Sequence, residues 1–113
     1  MLGPYKDIHS ATITASADIK DSQAVGYDDG PAGTNTRVQG VAHYDQVAGK
    51  NLAIMQKGEL PMRAGAALGK GVDVISNVDG NPVPVGATEN PEIFGRTQEA
   101  AANPGDLVLI QLV

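Results

Sequence analysis

The side chains that could react are few. Ser10, Ser16, Ser22 and Ser76 are the hydroxyl nucleophiles of the serine type, and His9 and His43 are the imidazole bases. Acyl transfer needs a nucleophile, a base beside it and a group that orients the base. No Gly-x-Ser-x-Gly elbow occurs. A triad around His43 is conceivable, and a surface histidine is the simpler reading. Among these residues no enzyme is legible.

Metal and phosphate chemistry fare no better. His9 and His43 stand far apart in sequence, and no His-x-x-x-His pair occurs. Asp28-Asp29-Gly30 resembles part of a calcium loop but lacks the alternating oxygen ligands and the closing Glu, and turn chemistry accounts for it. Gly65, Gly69 and Gly71 lack the Walker spacing with Lys-Ser or Lys-Thr, so they read as corner residues. Glu89 with Glu92, and Asp79 with Asp106, are carboxylate pairs that nothing in the sequence brings together. No cofactor, catalytic or metal site is expected.

The chain has 113 residues, which predicts one domain with a core of its own. There is no cysteine, so disulfides and thiolate chemistry are excluded. The net charge is −5 and the eight cations are scattered singly, which speaks against nucleic acid as a partner. No apolar run reaches the length of a membrane span, and residues 1–7 lack the pattern of a signal peptide, so synthesis in the cytoplasm is expected. Aromatic residues make up only 4%, with Phe94 the single phenylalanine. An aliphatic core forgoes aromatic burial, so part of the stability is expected from assembly.

Fourteen glycines and seven prolines punctuate short apolar alternations, the signature of many short strands. Strands are predicted over residues 23–27, 37–44, 52–57, 72–76, 93–100 and 106–113. A break is expected at 58–61. Residues 82–85 carry two prolines and form an edge strand at best. Asp79-Gly80 marks a hairpin turn at 77–81. Residues 64–74 and 100–109 echo each other as small-residue corners leading into strands. Residues 97–102 are too short for a full helix. Residues 1–22 read either as a frayed terminus or as an extended arm that orders on a partner; residues 23–113 form the β-rich domain. The fold class is mainly β: a small single-domain β-barrel or β-sandwich-like, β-tulip-like fold with little helix.

The most telling stretch is 106–113. Val108, Ile110 and Leu112 occupy one face of this strand; Leu107, Leu109 and Val113 occupy the other, with Gln111 polar. A strand apolar on both faces needs cover on both. One face belongs in the chain's own core. If the second is uncovered, Leu107, Leu109 and Val113 meet another subunit.

Gly40-Val41-Ala42, the corner from Ala64-Gly65 to Gly69-x-Gly71, Gly95, and the close Gly105-Asp106 through Val108, Ile110 and Leu112 form an ordered set. Over residues 38–113 this set resembles the capsid decoration, or cement, proteins of tailed bacteriophages. It departs from them where Val72 follows Gly71 and Asp73 comes one place late. The resemblance implies a structural, head-stabilising protein of the virion. It would be a homotrimer on the outer surface of the phage head that binds the major capsid protein after shell expansion and clamps neighbouring capsomers. It also implies an N-terminal arm that contacts the shell, with Tyr5, Ile8 and Ile13 as anchors, and removal of residues 1–16 is expected to leave the fold intact. The alternative is a hammerhead-like β-barrel carrier or binding module. A carrier needs a lysine at a hairpin tip flanked by Met or similar residues, and 77–81 has none, while Lys57 and Lys70 lack that flanking.

Overall fold

The structure is a computed structural model that describes residues 6–113. Among the described residues there are eight strands: β1 (Lys6–Thr14), β2 (Ala24–Gly26), β3 (Val38–Ala42), β4 (Asn51–Arg63), β5 (Asp73–Ser76), β6 (Pro82–Pro84), β7 (Gly95–Thr97) and β8 (Leu107–Leu112). They form one sheet in the order β2-β3-β4-β8-β7-β5-β6, with β1 also on β4 and every named pair antiparallel. No helix occurs among the described residues. The sheet curls into a half-barrel until Ala24 N of β2 donates to Gly80 O in the β5–β6 turn at 2.9 Å. The expected mainly β, single-domain fold is therefore what forms.

The main correction concerns β4. Gly58 and Pro61 were expected to break the chain after residue 57, yet the strand runs thirteen residues through both. A bulge makes this possible. Met55 and Leu60 both enter the main core although they lie five residues apart, and a regular pleat would put them on opposite faces. The β1–β4 register shifts on both sides of His9, opposite this stretch of β4. Gly58 takes φ +133°, and a Cβ there would lie 2.0 Å from Lys6 O. Pro61 keeps its place in the ladder opposite Leu109 of β8. At the other end of the chain order, β7 covers only three of the residues expected between 93 and 100.

Two apolar clusters result. The larger gathers Met55, Leu60, Met62, Val74, Phe94, Val108, Ile110 and Leu112 inside the curl. The smaller lies across the β2–β3–β4 end and holds Ala15, Ile19, Val25, Ala42, Leu52 and Ile54, with Ala11 and Ile13 packed against it. The segment read as an arm thus contributes to the domain: Lys6–Thr14 is extended along β4, and Ala15 and Ile19 are buried. Removing residues 1–16 would take Ala11, Ile13 and Ala15 away from Leu52 and Ile54, so a loss of stability is to be expected from this cut. The two echoing corners pack on each other. Leu68 and Ala101 exchange both backbone hydrogen bonds at 2.8 Å, and Gly105 N donates to Ala64 O at 2.7 Å.

Replacing Gly58 by alanine forces a side chain into the Lys6 carbonyl at a backbone angle that L-residues avoid. Hydrogen exchange is expected to accelerate over residues 6–14 while β8 stays protected, with a stability loss on the order of 1–3 kcal/mol. Unchanged protection of β1 would contradict this account of the bulge.

Candidate functional site

Two surfaces carry the residues singled out from the sequence. The first is the outer face of β8. Val108, Ile110 and Leu112 point into the main core, and Leu107 is 50% exposed on the opposite side. Its neighbours across β4 are set by register: Arg63 faces Leu107, Pro61 faces Leu109, and Glu59 faces Gln111. Pro61 is buried and Leu109 half-buried, so they make a small apolar step between charged side chains. On the other flank, Arg96 of β7 faces Gln111 and donates from Nε to Asp73 Oδ1 at 2.9 Å. Val113, 68% exposed, does not join this step. It lies beside Ile93 in a shallow depression with Val38, Gln56 and Phe94. The sequence reading missed Ile93, because its partner in space lies twenty residues away and only the fold joins them.

The second surface is β1. One of its edges lies on β4, and nearly all its side chains are exposed. Ile8 is 66% exposed at the bulge and lines a notch of about 210 Å³ with Lys6, Lys57, Glu59 and Leu112. Ile13 instead turns inward and packs on the smaller cluster. Tyr5 lies outside the described residues. Of the two anchors among the described residues, Ile8 is exposed and Ile13 is not.

The possible triad around His43 has a concrete geometry. His43 Nε2 lies 2.9 Å from Ser10 Oγ and 3.0 Å from Asp7 Oδ2, and the Ser10 hydroxyl also donates to Asp7 Oδ2. A relay requires the nucleophile and the carboxylate on opposite ring nitrogens. Here both meet the same nitrogen, and serine gives its proton to the carboxylate. The cluster fastens β1 to the residue following β3. The Asp28–Asp29 turn is likewise internally satisfied: Asp28 Oδ1 accepts from Gly30 N at 3.1 Å, and Asp29 Oδ1 from Gln39 Nε2 at 2.7 Å. Among the described residues no group of three metal-ligating side chains converges. Glu92 meets Arg37, in the segment before β3, at 3.5 Å, and Asp106 accepts from Asn103 N within its own turn at 3.1 Å. The 77–81 turn forms as expected, its Asn77 side chain accepting from Asp79 N and Asn81 N, and it carries no lysine.

The curled sheet thus leaves the outer edge of β1 open and sets an apolar step on its outer face. The chain belongs to the phage cement protein family, whose model matches residues 4–112. The match takes in β1 and the Asp28 loop, both outside the stretch over which the sequence resemblance was drawn. Among solved structures, the N base of head fiber gp8.5 of bacteriophage phi29 shares the fold, with a TM-score of 0.72 over 93% of each chain at 24% identity. No curated protein matches the chain.

The two faces of β8 should respond differently to substitution. Ile110→Ala is expected to cost about 2–5 kcal/mol by opening the core, whereas Leu107→Ser should stay within about 1 kcal/mol in the isolated subunit. Denaturant midpoints measure both; equal losses would mean that Leu107 is part of the fold's own core.

Proposed function

We propose that this protein docks on the outer surface of the expanded phage head, contacts the major capsid protein and joins neighbouring capsomers as a homotrimer. The observation that carries this reading is the contrast along β8: its inner side chains are buried, while Leu107 remains half exposed beside Arg63 and Pro61. A second subunit against this step would bury Leu107 and Leu109, and the charged residues around them would set the register of the contact.

The shell contact falls to β1 and the residues before it. With β4 on one edge, β1 can offer the other to an extended segment of the shell protein, and Ile8 supplies an exposed side-chain anchor. The remaining edges are poorer templates. Pro82 and Pro84 interrupt donors along β6, and Val25 of β2 already bridges Pro31. Each contact is weak, and the symmetry of a shell multiplies it through effective concentration. In this reading the protein is made in the host cytoplasm, joins the virion after shell expansion, and performs no catalysis.

The cut that tests the arm ends at residue 10, leaving Ala11, Ile13 and Ala15 against the smaller cluster. This truncated protein is expected to keep its fold and to lose co-sedimentation with expanded shells by at least about tenfold; unimpaired co-sedimentation would sink the arm's role. Separately, Leu107→Asp should lower the mass seen by light scattering from trimer to monomer. A wild-type protein that is monomeric both free and on shells would overturn the trimer.

A further inference from the structure

A cleft of about 600 Å³ opens away from the smaller core, between the turn at residues 20–23, the end of β4 and the β5–β6 turn. Its lining is Lys20, Asp21, Gln23, Arg63, Asp79 and Asn81, every one polar or charged. The walls are held in place. Gln23 spans them, its Oε1 accepting from Lys20 N at 2.9 Å and its Nε2 donating to Asp79 O at 2.7 Å. Gly80 takes φ +74°, and a Cβ there would lie 2.8 Å from Gln23 Cγ, so only glycine lets the two turns close on each other. Arg63 Nη1 donates to Asp21 O at 3.2 Å, which draws the guanidinium toward the 20–23 turn.

The result is a polarised cleft. Lys20 and Arg63 supply two cations beside the single carboxylate of Asp21, whose Oδ1 accepts from Ser22 Oγ at 3.2 Å, and Asp79 with Asn81 supplies a carboxylate and an amide on the β5–β6 turn. We propose that this cleft binds an acidic sugar of the uronic acid class, with its carboxylate on Lys20 and Arg63 and its hydroxyls donating to Asp79 and Asn81. The chemistry is selective. An anion alone would meet Asp79 as a repulsive neighbour, and a neutral sugar would leave both cations unanswered. A molecule with an anionic end and several hydroxyl donors satisfies both walls. Because Gln23, Gly80 and Arg63 fix the walls in advance, little ordering is left for binding to supply. The volume lies within the range of small-molecule sites. The cleft stands independently of the shell contact, and its test does not involve shells.

The test is a titration of the 15N-labelled full chain with sodium glucuronate, followed by backbone amide shifts, with glucose, sodium acetate and sodium glutamate as comparisons. Glucuronate is expected to give saturable shifts at residues 20–23, 63 and 79–81. Glucose and acetate, each satisfying one wall, should bind at least about tenfold more weakly. Lys20→Ala and Asp79→Asn, both at exposed positions, should each weaken glucuronate by about tenfold while the remaining spectrum is unchanged. The proposal is overturned by an absence of saturable shifts in the cleft, by equal binding of acetate or glucose, by tighter binding of glutamate, or by affinity that survives both substitutions.

Discussion

One strand holds this structure together. β4 pairs with β1 and β3 through its first part and with β8 through its second, so three neighbours depend on its running unbroken from Asn51 to Arg63. That continuity rests on the local irregularity at Gly58. Without the bulge, the side chains that fill the small cluster before it and the main cluster after it would not alternate onto the right faces. The bulge also lets the Lys6 carbonyl come so near that no side chain fits between, tying the start of β1 to the middle of the sheet.

The low aromatic content is met by dividing the burial. A single aliphatic core in a half-barrel of this size leaves one face of the β2–β3–β4 end bare. The 15–22 segment covers it, with Ile19 sealed beneath a bridge to Gln46. The hydrogen-bonded turns do similar work elsewhere. Ser76 is fully buried, yet its hydroxyl donates to Gly33 O at 2.6 Å, fastening the long Asp28 loop onto β5.

Much of this was legible from the sequence. Glycine and proline spacing marks strand boundaries, Asp79-Gly80 marks its hairpin, the prolines of β6 mark an edge, and the two-sided apolar pattern of residues 106–113 marks a strand with one face outside the core. Gly58 and Pro61 misled because their local preference is to end a strand, and a bulge that uses a glycine looks the same as a break until its partner strand is known. Residues 6–14 were obscure for a related reason: their side chains are mostly exposed, so the strand is held by backbone pairing, which leaves little trace in hydrophobic pattern. The meeting of Asp7, Ser10 and His43, and of Val113 with Ile93, depends on topology alone.

The position of β8 has a consequence for how the domain comes into being. It is last of the eight strands in chain order, yet it lies mid-sheet between β4 and β7. Take it away and the ladder divides into β1-β2-β3-β4 and β5-β6-β7, joined by loop contacts such as Ala24 N to Gly80 O and Ser76 Oγ to Gly33 O. On the ribosome, therefore, the nascent chain can make two half-sheets but not the whole until residues 107–112 have emerged. Closure between such distant segments is slow compared with helical folding. The smaller cluster can close without it, but the main cluster stays open during that interval, until Val108, Ile110 and Leu112 arrive with the final strand to complete it.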